Sequence, residues 1–172
     1  MKKTVLAAMC LALCILVPLL FHTIPNGGSI YLPMHLPVLL CGMLCGAGYG
    51  LACGLLGPAL SFLLTAMPAA AMLPAMMAEC GAYGLVTGLM LKLLHTKNTC
   101  ADLYLSQITA MAAGRLLSGG VKAVLFPELT VGAWIGSAVL LGLPGVVIQL
   151  ALAAPVVLTL MHTGVIPKRY TA

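Results

Sequence analysis

The stretch PAMMAECGAYGLVTGLMLKLLH, residues 74–95, decides the fold of this chain. From Ala75 to Leu94 it stays apolar for roughly 20 residues, about one crossing of a bilayer as a helix. A proline precedes it, Lys92 stands near its far end, and one carboxylate, Glu79, lies inside it. A carboxylate in hydrocarbon needs a partner, so this run predicts both a membrane span and a polar contact within the membrane.

The rest of the sequence repeats the pattern. Hydrophobic residues make up 62% of the 172 positions and charged residues 6%, against about a quarter charged in soluble domains. Long continuous apolar runs, with no alternation of polar and apolar residues, exclude a transmembrane β-barrel. The class is all-α: a six-transmembrane-helix bundle forming a single domain over residues 1–172, with a short extra helix in the last outer loop. The net charge of +5 is dispersed at chain and loop ends, with no basic patch to bind nucleic acid. The seven cysteines, Cys10, Cys14, Cys41, Cys45, Cys53, Cys80 and Cys100, form no CxxC and mostly lie in apolar runs, where thiols act as small hydrophobes that pack helices.

Six spans are expected, beginning with Thr4–Phe21. Its lysines at the start resemble a signal peptide, but the chain stays apolar beyond it, which favours a retained first span. A turn-rich stretch, Thr23–Pro33, leads to a short second segment, Met34–Gly46. Gly46, Gly48 and Gly50 turn the chain into a third, Leu51–Thr65, and Pro68 and Pro74 bracket the loop before the fourth, Ala75–Leu94. The fifth runs from Ala101 to Lys122. Between Phe126 and Leu143 a short apolar helix, Val131–Leu141, is favoured, because Pro144-Gly145 opens a new helix better than it continues an old one. The last span is Pro144–Met161, bent at Pro155.

With six spans, Lys2, Lys3, Lys92, Lys97, Lys168 and Arg169 share one side, and the other side has only Lys122, at a helix end, and Glu128. That asymmetry predicts a multi-pass protein of the plasma membrane with both termini cytoplasmic.

Four polar groups then lie within the membrane: His35, Glu79, Arg115 and Gln149. At 1.5 Å per residue, Glu79 and Gln149 are each about 7 Å inside the outer ends of their helices and Arg115 about 10 Å, with His35 at an outer mouth. Four segments bring polar groups to one level. One reading is a structural Glu79–Arg115 ion pair; the other is a substrate-binding pocket open to the outside, which also accounts for Gln149 and His35. Arg115, Ser118, Gly119 and Lys122 share one helix face and suit an anionic group, although Lys122 is equally placed to snorkel to the interface.

Small residues recur four apart at Ala8 and Ala12, at Gly42, Gly46, Gly50 and Gly54, and at Gly84 and Gly88, a spacing that lets helices approach closely. Ala8 and Ala12, on a first helix at the rim, offer that face to another protein. No catalytic set, nucleotide loop or cofactor motif is present, so the chain reads as no enzyme. Asp102 reads as capping or dipole compensation at a helix start. Methionine, cysteine and histidine are numerous, but in sequence they form no spaced cluster for a soft metal.

The ordered pieces Ala8-xxx-Ala12, Met34-His35-Leu36-Pro37-Val38, Gly57-Pro58-Ala59-Leu60-Ser61, Met67-Pro68, Tyr83-Gly84…Gly88-Leu89 and Leu143-Pro144-Gly145…Gln149 resemble the substrate-binding (S) components of energy-coupling factor (ECF) vitamin transporters over nearly the whole chain. The resemblance implies capture of a vitamin or precursor from outside. It also implies docking, through Ala8 and Ala12, on a transmembrane coupling subunit driven by two cytoplasmic ATPase subunits, with the first loop as gate. The absence of a nucleotide motif in the chain agrees with energy supplied by partners. Low aromatic content argues against a large flat ring, and Arg115 and Lys122 favour an acid, such as pantothenate or a nicotinate-like compound. A small membrane enzyme or an assembly factor using the same polar cluster is the alternative.

Overall fold

The computed structural model describes residues 2–21, 27–128, 132, 136 and 142–164, and among these every regular element is helical. In chain order they are α1 (Lys2–Leu20), α2 (Gly27–Tyr31), α3 (His35–Cys45), α4 (Ala47–Thr65), a 3₁₀ turn (Ala70–Met72), α5 (Leu73–Leu93), α6 (Thr99–Leu125) and α7 (Leu143–His162). Four of them, α1, α4, α6 and α7, are long and apolar enough to cross a membrane, and α3 is apolar but only 11 residues long. The protein is a polytopic helical membrane protein. The expected helix over Val131–Leu141 falls outside the described residues except at positions 132 and 136.

Local chemistry sets most boundaries. Pro74 and Pro144 stand in the first turns of α5 and α7, where the missing N–H costs nothing. Asn98 caps α6, its side-chain oxygen accepting from the N–H groups of Cys100 (3.1 Å) and Ala101 (3.5 Å). Asp102 lies in the first turn of α6, as dipole compensation requires, and also holds the preceding loop by accepting from the N–H and hydroxyl of Thr96.

Two expectations change. The break between the second and third segments is Gly46 alone, at φ +97°, so α4 begins at Ala47 and takes in Gly48 and Gly50; the Gly50 N–H donates to the Gly46 carbonyl at 2.9 Å. The latter part of the first loop contains the short helix α2, and Gly145 at the start of α7 packs so closely on its Ile30 and Tyr31 backbone that a Cβ there would come within 2.8 Å.

Helix α5 is central, packed against α3, α4 and α6. Glycines permit this: a Cβ on Gly42, Gly50, Gly54, Gly84 or Gly88 would fall within 3.0 Å of backbone on a facing segment. The glycine ladders on α3, α4 and α5 are therefore internal seams. At 21 residues α5 is long enough to span, but its glycines, Tyr83 and Glu79 make it less apolar than α3 and α4.

Six of the seven cysteines are buried and Cys100 is exposed, and all are free. The buried six belong to one core cluster with Met34, Val38, Leu39, Tyr83, Ala110 and Met111, so the fold gathers thiols that the sequence scatters. Among the described residues, no group of three or more His, Cys, Asp or Glu is arranged to hold a metal ion. A second cluster, Leu91, Leu103, Ala154 and Val157, joins α5, α6 and α7. Between the two, one turn from both Leu103 and Met111 on α6, sits Gln107, fully buried, with neither amide atom hydrogen-bonded among the described residues.

Two outcomes follow from this packing. Gly84→Leu should destabilise the bundle by at least about 1–3 kcal/mol, read as a lowered thermal midpoint in detergent, and an unshifted midpoint would mean that α4 and α5 do not meet there. Gln107→Met should leave stability unchanged or raise it by up to about 1–3 kcal/mol, because it removes an amide buried without partners; a large loss would show that Gln107 has partners after all.

Candidate functional site

The carboxylate predicted to need a partner has three. Glu79, on α5 and 5% exposed, uses Oε1 to meet Arg115 Nε of α6 at 3.3 Å and His35 Nε2 of α3 at 3.5 Å. The same oxygen accepts a hydrogen bond from the Tyr83 hydroxyl at 3.2 Å. Three helices thus converge on one oxygen.

Each contact follows from local sequence. Tyr83 is four residues beyond Glu79, which puts both on one face of α5. Its ring packs onto Gly114 of α6, where a side chain would collide with it, so glycine there lets α6 come close enough for the next residue, Arg115, to reach Glu79. His35 is the first residue of α3, and its ring stands edge-on to Tyr83 with centroids 5.1 Å apart. Ser118, fully buried, donates its hydroxyl to the Arg115 carbonyl at 3.3 Å.

Gln149 meets neither charge directly. Its Nε2 donates to the Leu32 carbonyl at 3.3 Å, and that oxygen also accepts from the His35 N–H at 3.1 Å. Gln149 therefore joins the cluster through the turn that starts α3. Lys122 makes no hydrogen bond or ion pair with these residues through its side chain among the described residues; it is seven residues past Arg115, about 10 Å along α6. The structure thus brings His35, Glu79, Arg115 and Ser118 together, attaches Gln149 by one backbone link, and leaves Lys122 near the helix end. Ala8 and Ala12 lie elsewhere, on the exposed face of α1 with Val5, Met9 and Leu16.

Two polar residues are absent from the expected set. Tyr83 supplies a hydroxyl to the shared carboxylate, and its spacing from Glu79 is the signal for it. Gln107 lies eight residues before Arg115, about 12 Å towards the other end of α6. Its signal is the stripe Gln107, Met111, Gly114 and Ser118 at i, i+4, i+7 and i+11, all buried.

Several buried polar atoms have no hydrogen-bond partner among the described residues: Arg115 Nη2, Gln149 Oε1 and His35 Nδ1 near the cluster, besides Gln107 further along α6. Arg115 spends its Nε on Glu79 and keeps Nη2, one arm of the guanidinium fork that grips a carboxylate, without a hydrogen-bond partner among the described residues. The arrangement can pair an internal acid at rest and still present donors and acceptors to a guest.

A family model described as ECF transporter, substrate-specific component, matches residues 2–158. No curated protein and no solved structure matches the chain. The match covers most of the sequence, and a substrate-specific component is a transporter subunit, which sets aside the reading as a membrane enzyme. With a helical bundle built for the membrane and a polar cluster inside it, the chain belongs to the substrate-specific components of ECF transporters.

Proposed function

We propose that this protein captures a vitamin or vitamin precursor from outside the cell at the layer formed by His35, Glu79, Arg115, Ser118 and Gln149. Lys122 guards its outer edge. The observation that carries this reading is the convergence of three helices on the Glu79 carboxylate, beside donors and acceptors that the described residues do not satisfy. A purely structural ion pair has no use for a buried Gln149 oxygen and an unpaired guanidinium end, each of which costs about 1–3 kcal/mol when left unmade.

In this reading the chain makes six spans, with both termini in the cytoplasm of a cell whose plasma membrane it occupies. The exposed Ala8–Ala12 face of α1 docks on a transmembrane coupling subunit, and two cytoplasmic ATPase subunits supply the energy. The support is that α1 is the outlying helix: it packs on α3 and α4 and leaves Val5, Met9 and Leu16 more than half exposed.

Two experiments test these statements. Removing either partner of a buried ion pair alone costs about 3–5 kcal/mol, so the informative variant is the double Glu79→Gln/Arg115→Gln. It should recover much of the stability lost by each single variant and still fail to retain the small molecule that mass spectrometry finds on the purified wild type. Retention by a folded double variant would reduce the pair to architecture, and a wild type carrying no ligand would remove the capture reading. For orientation, Cys100 is the one exposed cysteine and lies at the start of α6, on the side assigned to the cytoplasm. A membrane-impermeant maleimide should label it in inside-out vesicles and not in intact cells; the reverse pattern inverts the topology.

A further inference from the structure

The atoms left without partners differ in kind, and the difference specifies a ligand. Gln149 is 1% exposed, and its amide orientation is set by its one contact: the nitrogen faces the Leu32 carbonyl, so the oxygen is the free end. Turned the other way, the amide would set two oxygens against each other. The free end is therefore an acceptor, and only a donor satisfies it.

Arg115 presents the opposite. Its Nε is engaged by Glu79, and its buried Nη2 is without a partner among the described residues. A guanidinium bound side-on through Nε keeps an end-on fork for a second carboxylate, a geometry that lysine and neutral donors do not reproduce. The two groups are linked by a short path, from Gln149 through the Leu32 carbonyl to His35, then Glu79, then Arg115.

The geometry points to a ligand that is a carboxylic acid and also carries an N–H or O–H donor: the carboxylate takes the Arg115 fork and the donor takes the Gln149 oxygen. This rests on the substrate-capture reading of the same site and narrows it. An acid with no donor leaves a buried acceptor unmet, and a neutral compound rich in donors leaves the guanidinium end unmet. A site built around a polar group discriminates strongly against an analogue that lacks it. Of the two acids the sequence favours, the pantothenate type fits and the nicotinate type does not.

Matched probes read this directly. Isothermal titration of the purified full chain in detergent would compare biotin with lipoate, two acids on similar chains of which only biotin bears N–H donors. It would also compare pantothenate with nicotinate, an acid without a donor, and with pantothenyl alcohol, which keeps the donors and lacks the acid. A donor-bearing acid, biotin or pantothenate, should bind at least tenfold tighter than each of its counterparts, and Gln149→Met should bring the ratio to an acid without donors close to one. Tightest binding by lipoate or nicotinate, equal binding by pantothenyl alcohol, or no binding by either donor-bearing acid overturns the inference. So does a folded Gln149→Met that keeps the ratio. The wild-type ratios decide even where the variant does not fold. Preference for lipoate or nicotinate would leave substrate capture standing, whereas capture itself falls only if the native protein carries no small molecule.

Discussion

A carboxylate inside a bundle surrounded by hydrocarbon has to be paired, and the placement of Glu79 organises the middle of this protein. An isolated charge at the bilayer centre costs about 2.5–3.5 kcal/mol on insertion scales. Here the cost is offset from three directions, by Arg115 of α6, His35 of α3 and the Tyr83 hydroxyl one turn along α5. Each contact fixes a helix at a height as well as at a distance. Sliding α6 by one turn, about 5.4 Å, would carry Arg115 out of reach. The polar cluster therefore sets register, which apolar side chains alone do only loosely.

That cluster can form only because backbones come very close. Gly50 and Gly84 bring α4 onto α5, Gly42 brings α3 onto the same segment of α5, and Gly114 admits the Tyr83 ring. In lipid there is no hydrophobic force between helices, so close packing and hydrogen bonds hold them together. Small residues supply the first and the Glu79 cluster the second. Both lie on α5, the helix that packs against α3, α4 and α6 at once.

Much of this was legible in the sequence because it depends on local chemistry. Apolar run length gave the helices, Pro74 and Pro144 marked two starts to within a residue, and the depth of Glu79 and Arg115 along their helices matched them to each other. Where several residues could do one job, the sequence was ambiguous. Gly46, Gly48 and Gly50 can all break a helix, and only tertiary contact decides that Gly50 stays helical to meet Gly84. The partner of Gln149 was out of reach for another reason: it is a backbone carbonyl 117 residues away, and carbonyls have no identity in a sequence. The gathering of six cysteines from α1, α3, α4 and α5 is likewise a product of packing, invisible in their spacing.

Pairing at rest also bears on how the proposed capture site would select its guest. Arg115 held against Glu79 is tolerable, since the pair is formally neutral and Nη2 is the guanidinium nitrogen left buried without a partner among the described residues. A guest acid need not displace Glu79 to bind, because the contact with Glu79 is through Nε and the terminal nitrogens lie beyond it. Glu79 nonetheless repels a second negative charge brought close to the shared guanidinium. An acid that also meets the Gln149 oxygen with a donor gains a contact that offsets this repulsion, and one without a donor gains none. Discrimination then comes from an unfavourable term built into the site as much as from its attractions. On the capture reading we propose, the carboxylate that holds the bundle together thereby also sets the minimum a ligand must offer.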